Sequence, residues 1–378
     1  MTLDEGTLRS RVTTDITTQR GQFDVMTIGM YEAPIWGARG WLEELTFGAE
    51  YDVEDILPAM RGGLSYDGKL YAAPFYGESS MIMYRKDLVD AAGMTIEDNP
   101  TWDHVRDVAA AITDRDNGLY GICLRGKPGW GDNMAFLTTM ANSFGAQWFN
   151  MDWTPALDSP AWNEAVTFYV DMLTKYGHPG SEGNSFNEIL ALINKGKCGM
   201  WIDATIAASF VTDPAQSKVA DLMTFAQAPQ KATTKGANWL WAWSLAIPAG
   251  SKQTDDAKAF IEWATSKAYI ELVAAKNGWG AVPTGTRQST YDNPAFQEAT
   301  TFDEAEVKAI LAANPEDSTL NPSPYVGVQF AAIPEFQAIG IAVGQQMTDA
   351  LAGNITVEEV LAKAQVAADR EMRKAGYY

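Results

Sequence analysis

The chain has 378 residues, 46% of them hydrophobic and 20% charged, enough for two or three domains each with its own core. A net charge of -20 argues against nucleic acid and anionic membrane surfaces as partners, since both call for basic patches. Only two histidines occur, His104 and His178, in unrelated contexts, which argues against histidine catalysis and a His-rich metal site.

In chain order, Leu8, Val12 and Ile16 recur every fourth residue and predict a helix with one buried stripe across residues 1–20. Phe23 to Ile28 reads as a short strand ending at Gly29. A loop with Tyr31, Glu32 and Trp36 is expected after it, at a strand end where open α/β sheets take ligands. Tyr31 and Trp36 could equally be core residues, with Glu32 solvated. Val53 to Gly63 predicts a short helix.

Residues 67–88, DGKLYAAPFYGESSMIMYRKDL, organise the rest. Asp67-Gly68 marks a turn, and Leu70 to Pro74 is an apolar run stopped by a proline that cannot donate to a central ladder. Ser80 to Tyr84 is a second buried run. Phe75-Tyr76-Gly77-Glu78-Ser79 between them is expected to be a binding loop.

Thr101-Trp102-Asp103 opens a helix with Val105, Val108, Ala109 and Ile112 on one face, and residues 114–118, DRDNG, form a connector. Gly121 to Leu124 predicts a strand followed by a polar-aromatic loop holding Arg125, Trp130 and Asn133. Helices are expected over 134–145, from Ser159-Pro160 to Gly177, and over 187–193. A strand through Lys195 to Ala204 then carries Asp203 at its end. Cys123 and Cys198 lie in strand-like runs 75 residues apart. Two buried free thiols and a disulfide between adjacent strands are both open.

Period two puts Trp239, Trp241 and Trp243 on one face of an extended segment, either an aromatic core face or the wall of a ligand cleft. Thr254 is expected to cap a helix through Ala264, and Asn277 to Thr284, with Trp279, forms a glycine-rich aromatic loop. Beyond Tyr291 the chain reads as helical. Its last helix opens with a capping box, Thr356 with Glu359, and ends at Gly376.

Strands alternate with helices, so the fold class is α/β. Clusters of aromatic with charged or amide side chains recur at strand ends: Tyr31/Glu32, Tyr76/Glu78, Arg125/Trp130/Asn133 and Trp201/Asp203. Thirteen tryptophans add flat apolar faces. Such groups suit a polyhydroxylated ligand, since rings cover the carbon skeleton while side chains bond its hydroxyls. The same carboxylates, Glu32, Glu78 and Asp203, could serve a glycoside hydrolase, although no local motif singles out an acid and base pair. No nucleophile elbow, zinc-protease or dinucleotide motif occurs, so no catalytic residue, metal or cofactor is expected.

The ordered segments GKLYAAPFYG, MYRKDLVDAAGM and TWD resemble the extracellular solute-binding proteins of carbohydrate ABC importers, and within them the sorbitol/mannitol (polyol) branch. RVTTDI, FDVMTIGMYEAPIWG, GKCGMWIDAT, WSLAIPAGSK, AKAFIEWATS and GWGAVPTGTR extend the likeness over nearly the whole chain. The resemblance implies two lobes, a hinge and an interlobe cleft that closes on a polyol or small sugar. It also implies a monomer that delivers its ligand to membrane permease subunits, with no enzymatic activity. By analogy the first lobe comprises residues 1–116 and 244–290, and the second 117–243 and 291–378. Ligand contacts are then expected from Tyr31, Glu32, Tyr76 and Glu78 in the first lobe. Arg125, Asn133, Asp203, Trp239 and Trp241 are expected in the second, with Trp36, Trp130 and Trp279 as further candidates. Family members carry an export signal, a strand and a helix before the point where Met1-Thr2-Leu3 enters, which the resemblance puts midway through a strand. The expectation is a periplasmic protein whose sequence starts late here.

Overall fold

Two consecutive strands, Ala73–Glu78 and Ser80–Arg85, have only Ser79 between them and yet belong to different sheets. In the computed structural model, which describes residues 5–378, this single residue also marks where the chain passes between compact units. Unit 1 comprises Met1–Glu78 and Trp241–Val307; unit 2 comprises Ser79–Leu240 and Lys308–Tyr378. The strand expected at Met1-Thr2-Leu3 lies outside the described residues. The unit boundaries differ from the expected ones: DRDNG lies inside unit 2, and Trp241 and Trp243 fall in unit 1. The reason lies in the ladders. Residues 80–85 pair with two later segments of unit 2, which carries 79–116 into that unit.

The strands are, in chain order, β1 Met26–Ile28, β2 Ser65–Tyr66, β3 Lys69–Leu70, β4 Ala73–Glu78, β5 Ser80–Arg85, β6 Met200–Ala204, β7 Met223–Gln227 and β8 Trp241–Ala246. In unit 1, β8 is central, with β1 and β4 antiparallel on either side. Tyr76 lies opposite Trp243 and Glu78 opposite Trp241, after a register shift between Pro74 and Tyr76. Pro74 therefore sits on a strand paired on one side only, beside an irregularity, where its missing N–H is tolerated. The Asp67-Gly68 turn joins β2 to β3 as expected, with both residues at positive φ.

In unit 2 the central strand is β5, flanked antiparallel by β6 and β7. Its run Ser-Met-Ile-Met-Tyr is buried throughout, as a continuous apolar segment covered on both faces should be. No binding loop forms at residues 75–79: strand pairing continues through Glu78 and resumes at Ser80. The strand expected at Gly121 to Leu124 is reduced to two parallel bridges, Tyr120 with Cys198 and Cys123 with Trp201. Those bridges bring the cysteines together, and Cys123 and Cys198 form a disulfide, so the free-thiol alternative falls.

Helix signals read more directly. The Thr101 hydroxyl accepts the His104 N–H and starts helix Trp102–Ile112, whose Val105, Val108, Ala109 and Ile112 are buried. Ser159 caps helix Pro160–Tyr176. The Thr356/Glu359 capping box opens helix Val357–Ala375, which Gly376 ends in the left-handed conformation. Thr254 is the first helical residue of its element, and Gln253 holds the cap position instead. No described helix is long and apolar enough to cross a membrane.

Candidate functional site

Unit 1 assembles its polar-aromatic residues from two helices and β8. α1, Glu5–Thr18, buries Arg9, Val12, Asp15 and Ile16 on one face. α2, Glu32–Ala38, replaces the loop expected after β1, so Glu32 becomes the first residue of a helix, where a carboxylate is favoured by the free amides. One Glu32 oxygen accepts from Arg9 Nη1 at 2.5 Å and the other from the Gly29 amide at 3.0 Å. The Arg9 guanidinium lies 4.9 Å from the Trp241 ring centroid and 4.8 Å from that of Trp243. The two indoles stand edge to face at 5.7 Å and 79°. Gly29 is required by this packing, since a Cβ there would lie 1.8 Å from the Trp241 ring.

Arg9 is the residue that sequence reasoning missed. Its signal is a cation three positions before Val12 on the buried stripe, legible only once Arg9 is placed on the same helical face as the apolar residues. Burial opposes its charge, and the Glu32 and Glu5 carboxylates outweigh that, so its pKa rises further above its already high ordinary value.

Tyr31 and Trp36 are buried at the start and within α2, Glu78 is buried on β4, and Tyr76 is half-buried beside Trp243 in the ladder. Trp279 stands in a single 3-10 turn that packs with helices Lys267–Asn277 and Pro294–Ala299 instead.

Unit 2 builds a counterpart from different segments. Arg125 and Asp203 form a two-point ion pair, Nε to one oxygen at 2.8 Å and Nη2 to the other at 2.6 Å. The guanidinium lies 5.8 Å from the Phe186 ring and 5.6 Å from the Trp239 ring. Asp203 is fully enclosed and also accepts from the Trp201 indole at 3.0 Å and the Ala204 amide at 2.7 Å. Four bonds occupy the acceptor capacity of a carboxylate, so Asp203 acts on its surroundings through Arg125.

Asn133 is likewise enclosed. Its Nδ2 donates to the Gly344 carbonyl and the Thr348 hydroxyl while its Oδ1 accepts from the Gly129 amide, which makes it a clamp on the 126–131 loop. Trp130 is wedged edge-on against Phe330 and Phe336, and Gly340 could not carry a Cβ beside it. The hydroxyls of the GESS segment also serve the framework. Ser79 donates to the Trp239 carbonyl, and Ser80 accepts the Trp239 amide, so together they pin that tryptophan. The buried Trp239 indole N–H is without a hydrogen-bond partner.

Sequence alternation thus groups Trp241 and Trp243 correctly, while Trp239 joins Arg125 in the other unit. Among the described residues no cluster of three or more His, Cys, Asp or Glu is placed to hold a metal ion. A hollow of about 560 Å³, an open groove along helix Pro160–Tyr176, is lined by none of these residues.

Comparisons with known proteins agree with this chemistry. The family model for bacterial extracellular solute-binding proteins matches residues 2–271. A mannitol-binding protein of Pseudomonas aeruginosa is 52% identical over 376 residues, covering 99% of this chain and 86% of its own. A solved ABC transporter solute-binding protein from Agrobacterium vitis S4, with bound D-mannitol, is 56% identical with a TM-score of 0.98, over 100% of this chain and 91% of its own. A second, from Agrobacterium radiobacter K84 in complex with ribitol, is 25% identical with a TM-score of 0.86, over 97% and 90%.

Proposed function

The chain belongs to the bacterial extracellular solute-binding proteins, and from that premise we propose that it is the substrate-binding component of an ABC importer, taking an acyclic polyol of the mannitol type. The observation that carries the ligand class is the identity above one half, along nearly the whole chain, to proteins that bind mannitol. Physical chemistry supports it. Each unit presents an arginine locked to a carboxylate and faced by aromatic rings, a set of fixed donors and apolar faces suited to hydroxyls on a carbon chain. Three or four hydrogen bonds between ligand hydroxyls and charged side chains, at about 1.5–3 kcal/mol each, support micromolar affinity or better.

The proposed role is binding without turnover. Asp203 has no lone pair left for a water or a glycosidic oxygen, and Glu32 is held by Arg9 and a backbone amide, so neither is placed as the acid or base of a hydrolase. Tyr31, Glu32, Tyr76, Glu78, Trp241 and Trp243 of unit 1, with Arg125 and Trp239 of unit 2, are the proposed ligand-facing set. Asn133 and Asp203 support it. The family supports a periplasmic location and permease subunits as partners, and we assign the protein a monomeric state.

Thermal unfolding against mannitol, sorbitol, arabitol, glucose, maltose and an oligosaccharide tests this reading. At about 100 times its dissociation constant, mannitol should add roughly 2.7 kcal/mol, and it should be recovered unchanged after long incubation. No shift with any polyol, or consumption of a saccharide, overturns it.

A further inference from the structure

We propose that Arg9 is a positioning residue for polyol binding: lying against both the Trp241 and Trp243 rings, its guanidinium fixes the Glu32 carboxylate as an acceptor for ligand hydroxyls. The inference rests on the polyol reading above and adds a residue that touches the ligand only through others.

Three observations carry it. First, a buried cation is a poor device for stability alone, since replacing a buried ion pair by apolar side chains of similar volume is often neutral or stabilising. Arg9 is nevertheless 8% exposed, on a helix stripe where Val12 and Ile16 already supply apolar packing. Second, one planar group meets several partners at once: both indoles within 5 Å, Glu32 at 2.5 Å, and Glu5 through Nε and Nη2 at 3.0 Å each. A lysine ammonium, a single point charge, could not bridge two carboxylates while lying against two rings. Third, the Gly29 amide holds the other Glu32 oxygen, so the carboxylate is oriented from both ends. α1 brings Glu5 and Arg9 to these surroundings. On the adjoining strands β4 carries Tyr76 and Glu78, while β1 and β8 carry no ionisable side chain.

The test is titration calorimetry of mannitol with the full chain and with Arg9→Met, Arg9→Lys, Glu5→Gln and the double variant Arg9→Met/Glu32→Gln, from about pH 5 to about pH 8. In the parent, affinity should be nearly level over this range. Arg9→Met should bind roughly tenfold or more weakly. Its Glu32, left buried without its cation and beside Glu5, should take up a proton as the pH falls, so its affinity declines further toward acid. The acid decline should vanish in the double variant, and Arg9→Lys should recover part of the affinity. Glu5→Gln should stay within about threefold of the parent.

Arg9→Met binding within twofold of the parent at every pH overturns the proposal. So does a loss that is equal at every pH and accompanied by a matching fall in melting temperature, which would make Arg9 a structural residue. If Arg9→Met does not fold, Arg9→Lys with undiminished affinity overturns it equally. A parent chain that binds no polyol overturns the functional reading and this inference with it, whereas a binding parent with indifferent Arg9 variants overturns this inference alone.

Discussion

Arg125 and Asp203, 78 residues apart in sequence, meet through two nearly parallel hydrogen bonds, with the carboxylate fully enclosed. Asp203 lies opposite Met81 on the central strand of the unit 2 sheet, so a strand paired on both sides backs the ion pair. The Arg125 side chain additionally donates to the Gly131 carbonyl, and its own carbonyl accepts the Tyr169 hydroxyl, tying loop 126–131 and helix Pro160–Tyr176 to the same point.

Removing one partner should therefore be costly. Asp203→Ala leaves a buried guanidinium, an indole N–H and a backbone amide without their acceptor, and should lower stability by about 3–5 kcal/mol. Urea unfolding measures this directly. The conservative Asp203→Asn should recover part of the loss while still weakening mannitol binding, because an amide cannot accept on both sides of the guanidinium fork. Unchanged urea midpoints in both variants would show the pair to be dispensable.

The disulfide acts on the same segments. Cys123 lies two residues before Arg125, Cys198 five before Asp203, and the parallel bridge between Cys123 and Trp201 joins their backbones. A link closing 75 residues removes much chain entropy from the unfolded state, a stabilisation of about 2–4 kcal/mol. The expected outcome is a lower urea midpoint for Cys123→Ala/Cys198→Ala, matched by the parent unfolded under reductant. If reductant leaves the parent midpoint unmoved, the cross-link contributes little.

Elements governed by local rules were legible in the sequence. The Asp67-Gly68 turn, the caps at Thr101 and Ser159 and the Thr356/Glu359 box depend on a few adjacent residues. The α/β class and the likeness to solute-binding proteins were legible too. What the sequence concealed was set by long-range pairing. Glycine, proline and aromatics made 75–79 look like a loop, but β8, more than 160 residues later, supplies a ladder for β4 that propensity cannot announce. The role of Arg9 was hidden for the same reason, since its carboxylate and rings come from residues 23 to 234 positions away. Asn133 and Asp203 carried the right chemistry for a site, but their neighbours consume their hydrogen-bonding capacity.

Acid should weaken unit 1 through Asp55. Burial pushes this carboxyl up, but the Ser289 hydroxyl and amide, with Arg287 and Lys267, outweigh it and hold it below its ordinary value of 3.8. A carboxylate whose pKa is depressed by folding binds fewer protons in the native state. Its stabilisation is complete above the ordinary value and is lost as the pH falls through the depressed one. Unfolding free energy measured between about pH 5 and about pH 2 should therefore drop more steeply in the parent than in Asp55→Asn. Equal slopes would remove Asp55 as a contributor.

Trp239 allows stability and binding to be separated in one substitution. Its indole N–H is buried without a partner, and such a donor costs about 1–3 kcal/mol relative to a satisfied one. Trp239→Phe removes the donor while keeping a ring toward Arg125. Relief of the unsatisfied donor offsets the packing volume given up, so the folded protein should lose little stability or gain some. If the N–H is kept for a ligand hydroxyl, the same change should weaken mannitol binding by about fivefold or more. Melting temperature and calorimetric affinity, taken on the same sample, should then move independently. A parallel fall in both would mean that Trp239 serves packing, and its unpartnered donor would be a cost the unit bears without return.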